Sequence, residues 1–243
     1  MAGLDANKVY LPKPDQSSTT GAISVAPVDT PLPKTAREKL DASTWESGGY
    51  VGDAGIAIST NKGTTVIKDW SQGTVRKALS DFDGTISVPF LQVDEFAAKR
   101  VVGKNNTVFA KANAEHGNML TIDLGPDMPD IESWVFSMKD GDSRIRVLVP
   151  RGQVTNIDAI NFVPNAANSW PGTLACYAGP EGWAIRVIYE DGTIIDAVGQ
   201  KAIEDMTVDE LKAYAAANDI DISGLTKKDE IMNAIQNAQS ATE

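Results

Sequence analysis

From Gly21 onward, short apolar runs alternate with clusters of Gly, Pro, Asn and Asp. Runs this short, bounded by turn residues, predict strands rather than helices. After an opening run, GAISVAP, and a Pro-rich stretch, TPLPKTAREKLDASTW, strands are predicted over 55–60, 64–70, 74–82, 85–93, 107–113, 119–124, 133–139, 143–150, 153–164, 172–178 and 183–190. Asn61-Lys62-Gly63, Asp83-Gly84, Asp140-Gly141-Asp142 and Asp191-Gly192 fall between runs and read as hairpin turns, because Gly and Asn accept positive φ at low cost. Short strands at this spacing imply a mainly β fold, a sandwich or barrel. One segment breaks the pattern. In VDEFAAKRVVG (93–103), Val93, Phe96, Ala97, Val101 and Val102 lie near helical spacing and Gly103 can close the turn, so one amphipathic helix is expected to pack on the sheet.

The two ends differ from this middle. Residues 1–20 are rich in Pro, Ser, Thr and Lys and read as an extended N-terminal arm, loose or donated to a neighbour. After Gly199 the text changes to MTVDELKAYAAANDIDISGLTKKDEIMNAIQNAQ. Thr207 with Glu210 three residues on forms a capping box, with Leu211, Tyr214 and Ala215 as the apolar stripe behind it. Ile220, Ile222 and Leu225 occupy an extended connection, and Thr226 can cap a second helix with Ile231, Ala234 and Ile235 inside. The predicted organisation is therefore an arm (1–20), a β domain (21–200) and a small α-helical module of helix, extended loop and helix (201–243).

Composition narrows the function. With 243 residues, 42% of them hydrophobic, the chain can bury a substantial core. The first residues hold no apolar signal core, and no run is long enough to span a membrane, so a soluble protein without a recognisable export signal is expected. The formal charge of −11 argues against a surface that grips phosphates. The module is more acidic still: over 204–243, Glu204, Asp205, Asp209, Glu210, Asp219, Asp221, Asp229, Glu230 and Glu243 face Lys212, Lys227 and Lys228. Counterion release from so few bases would give DNA little affinity.

Candidate chemistry is sparse. His116, in AEHGN, has no second His, Cys or nucleophile nearby in sequence and reads as a loop histidine. Cys176 is the single cysteine, excludes an internal disulfide, and sits in a strand pattern that suits a buried thiol. Asp123, Asp127 and Asp130 lack the spacing and closing Glu of a calcium loop. Asn105-Asn106-Thr107 matches a glycosylation sequon but reads as a turn. Trp45, Trp70, Trp134, Trp170 and Trp183 could build a carbohydrate platform, which keeps a glycan- or host-surface-binding β-sandwich module as the rival reading beside an unrecognised hydrolase. Core and interface packing is the ordinary use of such residues. No catalytic, cofactor-binding or metal-binding residue is assigned, and no enzyme activity or cofactor is expected.

Three motifs in order carry a family resemblance: Gly49, Tyr50 and Gly55 in GGYVGDAG; Thr65, Ile67, Lys68 and Trp70 in TTVIKDW; and Phe90 leading into the helix at 93–103. Over roughly residues 20–190 the chain resembles the major tail tube proteins of siphoviruses, bacteriophages with long non-contractile tails, especially those of actinobacterial hosts. The C-terminal stretch resembles helix-extended-loop-helix modules of the HeH, SAP and LEM type. The first resemblance implies a tail-tube-type β-sandwich or barrel and a non-enzymatic virion structural protein, assembled in the host cytoplasm. It further implies a homo-oligomer of stacked, hexameric rings, with a tape measure protein, a tail terminator and a distal tail protein as partners. Genomic DNA would pass through the lumen without specific binding.

Overall fold

The computed structural model describes residues 4, 8–16, 20–193, 206–218 and 220–240. The alternating runs become strands β1 (Lys13–Pro14), β2 (Ile23–Pro27), β3 (Glu46–Ser47), β4 (Ala57–Lys68), β5 (Thr74–Phe90), β6 (Thr107–Ala110), β7 (Met119–Ile122), β8 (Glu132–Asp140), β9 (Ser143–Ile157), β10 (Trp170–Tyr177) and β11 (Arg186–Glu190). The helices are α1 (Glu95–Val101), α2 (Val208–Ala217) and α3 (Lys228–Ser240). One antiparallel sheet runs in the order β3-β2-β8-β9-β10-β5-β4, with β1 also on β8 and β11 also on β9, while β6 and β7 pair apart from it. The fold is mainly β, as the spacing of the short runs predicts. The described residues form two compact units divided after Gly192; the predicted boundary at 200/201 lies outside the described residues.

Alternation sorts the central strands into two buried faces. Ile23 and Val25 of β2, Trp134 and Phe136 of β8, Val147 and Val149 of β9, Leu174 of β10, and Ile86, Val88 and Phe90 of β5 point to one side, where Phe96, Ala97 and Val101 of α1 close the core. The intervening Ala26, Val135 and Leu148 point to the other side and pack with Trp45, Leu32 and Leu40 from the Pro-rich segment. Covering both faces explains why these strands read as near-continuous apolar runs. Burying each large side chain contributes roughly 1.5–3 kcal/mol, so the helix and the Pro-rich cover are both integral to the fold.

Helix α1 starts where predicted because Asp94, in extended conformation, accepts a hydrogen bond from the Ala97 amide at 2.9 Å. Glu95 and Lys99 pair at 2.7 Å one turn apart. Gly103 follows the last turn at φ +96. Gly48 lets the helix come close: a Cβ there would overlap the Phe96 ring.

Two predicted turns are not turns. Asn61, Lys62 and Gly63 sit inside β4 and pair with Asp83, Phe82 and Asp81 inside β5, while Gly84 pairs with Thr60. The glycines instead serve close approach. A Cβ on Gly63 would strike Asp81, and a register shift follows at Gly63/Thr64, the usual meaning of a glycine within a strand. The real reversal is residues 69–73, where the sequence predicts a strand as far as Trp70. The predicted strands at 143–150 and 153–164 likewise form the single strand β9, ending at Ile157. The turn at Asp140-Gly141-Asp142 is where it was expected, with Gly141 at φ +56.

The second unit also follows its sequence pattern. Thr207 Oγ1 accepts from the Glu210 amide at 3.4 Å and Glu210 Oε2 accepts from the Thr207 amide at 2.6 Å, a complete capping box. Met206, Leu211, Ala215, Ile231 and Ile235 are fully buried, and Ile220, Ile222 and Leu225 pack against them.

Candidate assembly surface

Strand β5 is half core, half solvent. Its residues 84–90 alternate buried and half-buried, whereas residues 74–83 are exposed apart from half-buried Ala78, and β4 beside them is exposed along nearly its whole length. The two strands therefore leave the body together as a two-stranded arm. From residue 60 to 68 that arm extends on the order of 30 Å at ~3.3 Å per residue. Its side chains are not those of an ordinary solvated hairpin: Val66, Ile67, Val75, Leu79 and Phe82 are all exposed, and Trp70 at the tip is 97% exposed. β4 is also the last strand of the sheet order, so its outer edge presents unpaired backbone groups.

The tip is held rigid by one carboxylate. Asp69 Oδ1 accepts from the Gly73 amide at 2.6 Å, Oδ2 accepts from Ser71 Oγ at 2.7 Å, and the Asp69 amide donates to Gly73 O at 2.9 Å. The Ser71 hydroxyl, followed by the Gly73 amide, holds the Asp69 carboxyl below the usual carboxylate range. Gln72 takes φ +67 within the turn.

The N-terminal arm and the Pro-rich stretch are both tied to their own chain. Of the N-terminal arm, Lys13 and Pro14 pair with Lys139 and Met138 of the same chain, Asp15 N donates to Ser137 O at 2.9 Å, and Leu11 N donates to Asp140 Oδ2 at 2.8 Å. The Pro-rich loop is pinned from below: buried Arg146 donates to Thr35 O at 3.0 Å and Glu38 O at 2.9 Å, and Arg37 pairs with Glu190 at 2.6 Å. From this segment Leu32, Leu40 and Trp45 roof the second face of the sheet.

The candidate residues are dispersed. His116 is fixed within its own loop, Nδ1 donating to Gly117 O at 2.8 Å and Nε2 accepting from Asn113 Nδ2 at 3.0 Å. Cys176 is buried in the core, where burial, with the Asp83 charge adding to it, pushes the thiol up to about 12. Asp130 pairs with Lys104 at 2.7 Å, and among the described residues no group of three His, Cys, Asp or Glu side chains gathers around a point. Asn106 and Thr107 bond back to Val102 O and Gly103 O, closing the end of α1. The tryptophans share no face: Trp45, Trp134 and Trp170 are buried, Trp183 lies under the Arg186 guanidinium at 4.0 Å, and Trp70 stands on the arm. Among the described residues no helix is long and apolar enough to cross a membrane.

These features define a class first: a mainly β subunit whose prominent surface element is a stiff, apolar-tipped arm. The sequence pattern of the family described as phage tail tube protein matches residues 16–199, and the chain belongs to that family. It is a structural component of a virion tail, made to assemble into an oligomeric tube. Among solved structures, a chain in the virion of a native gene transfer agent particle is similar at 13% identity and a TM-score of 0.34, covering 72% of this chain and 98% of that one. No curated protein matches.

Proposed function

We propose that the protein is the major tail tube subunit of a siphovirus-type phage, polymerising as stacked hexameric rings around a lumen through which DNA passes into the host without specific binding. The observation that carries this reading is the β4–β5 arm. A 12-residue outer strand with an open edge, joined to a row of exposed apolar residues, is an aggregation liability in a monomer. Ring closure and stacking turn the same surface into a buried interface, because neighbouring copies supply the missing partners. The role is non-enzymatic. A tape measure protein inside, and terminator and distal tail proteins at the ends, complete the assembly, which takes place in the host cytoplasm. An overall charge of −11 suits a wall that must release DNA, since phosphates find few bases to hold them.

The C-terminal unit is an HeH-like module carried on the outside of the tube. Its self-contained core of Leu211, Ala215, Ile231 and Ile235 supports independence, and six copies would crowd the lumen. Its acidity makes DNA a poor ligand.

Negative-stain electron microscopy of the purified chain is the direct test. Rings or tubes are expected at high concentration, and truncation after Gln200 is expected to leave them intact with less peripheral density. A protein that remains monomeric, alone and with its tail partners, sinks the reading.

A further inference from the structure

Trp70 is presented, not merely exposed. Its turn is braced by the Asp69 carboxylate and it stands at the end of a two-stranded arm, so little backbone freedom remains to be lost when the indole is buried. Aromatic anchors of this kind dominate protein interfaces when they enter an apolar recess. The body offers such a recess: a groove of about 550 Å³ bounded by Val101 and Val102 at the end of α1, the loop at 124–129 and the segment at 154–162. Leu124, Met128, Ile160 and Phe162 furnish its apolar lining, and Leu124 and Phe162 stand 66% and 77% exposed at its margin.

Charge selects the occupant. Over residues 62–82 the arm carries Lys62, Lys68, Arg76 and Lys77 against Asp69 and Asp81, a net basic stretch in an acidic chain. The groove is lined by Asp127 and Asp158 and by no base. Trp70 is exposed in its own chain, so the groove it fits belongs to another copy.

We propose that the arm of one subunit seats Trp70 in the groove between α1, the 124–129 loop and the 154–162 segment of a second copy, with the arm's basic residues facing Asp127 and Asp158. This rests on the tube reading and specifies its contact. A heterologous contact of knob and recess propagates, as a stack requires, because each copy has one of each. The groove thereby gains its missing wall.

The test uses the full chain. Trp70→Ala removes a side chain with almost no intramolecular contact, so its unfolding midpoint should match the wild type while the concentration needed for polymerisation rises at least ~10-fold, the scale of a central aromatic anchor. Trp70→Phe should recover most of that loss, and Asp127→Lys should reproduce it from the groove side. Mixing Trp70→Cys with Met128→Cys protein under oxidising conditions should give a disulfide-linked dimer that neither variant gives alone. Tubes of wild-type length and threshold from Trp70→Ala, or no cross-link in tubes that form normally, overturn the seat and leave the tube reading standing. A wild-type chain that forms no polymer under any condition overturns both.

Discussion

Arg100 Nη2 lies 2.6 Å from Glu46 Oε2, tying the buried face of α1 to the short edge strand β3. The same guanidinium sits 4.2 Å over the Phe96 ring, and its Nε is 3.3 Å from Glu132 Oε2. It thus bolts helix, β3 and β8 together from inside. Replacing Arg100 with Leu leaves the half-buried Glu132 without its cation and should destabilise the β domain by about 3 kcal/mol, read from urea unfolding. A loss under 1 kcal/mol would show that the cluster contributes little.

Glu132 itself should act in the opposite sense. Burial, outweighing the attraction of Arg100, holds its carboxyl above the ordinary 4.5. A carboxyl raised on folding favours the folded state while protonated, so this part of the stability is full below 4.5 and is lost as pH rises through the raised value. The difference in stability between wild type and Glu132→Gln should therefore shift in favour of the variant as pH climbs from 4 to 7. A difference independent of pH would contradict the burial assignment.

Cys176 should be chemically silent. A thiol at about 12 is thiolate at pH 8 less often than a free cysteine by roughly three orders of magnitude. Native protein is expected to resist a thiol reagent at pH 8 and to react stoichiometrically after unfolding in guanidinium. Rapid native labelling would place the side chain elsewhere than in the core.

Gly48 should tolerate no side chain. Gly48→Ala forces the Phe96 ring to move and is expected to cost about 2 kcal/mol, within the range for overpacked cores. Pairing it with Phe96→Leu should recover part of that loss, and strict additivity of the two would refute the contact.

Leu211→Ala should unfold one unit and spare the other. The side chain is fully buried among Met206, Ala215, Ile231 and Ile235, so the cost falls in the ~2–5 kcal/mol range for such truncations. Calorimetry should show the C-terminal transition lost or lowered while the β-domain transition stays within a degree or two. A joint shift of both would show that the units unfold as one.

Much of this architecture was legible because its cause is local. The spacing of Phe96, Ala97 and Val101 marks α1, and Thr207 with Glu210 marks the start of α2, since caps and stripes act within a few residues. The failures share a different cause. Asn61-Lys62-Gly63 and Asp83-Gly84 announce a permissive backbone, and permissiveness serves a mid-strand close approach as readily as a reversal. Pro150-Arg151-Gly152 reads as a break for the same reason, yet β9 runs through it. In the Pro-rich segment Leu32, Leu40 and Trp45 are spread thinly along the sequence, and only the fold gathers them over one face. The arm was the least legible feature. Val66, Leu79 and Phe82 are the residues a core-facing strand would carry, and nothing in their order says that the covering surface is absent from the same chain.

The continuity of β5 has a mechanical consequence. One uninterrupted stretch of backbone runs from the tip turn, past Phe82, to Phe90 in the core and on to α1. A pull applied at Trp70 along the arm is therefore directed parallel to the β5–β10 ladder, where Gly84–Phe90 pairs with Trp170–Cys176. Loaded in that direction, the ladder must yield by shear, with its hydrogen bonds giving way together rather than peeling apart in sequence. A subunit wired in this manner resists tension along its arm far better than force across it.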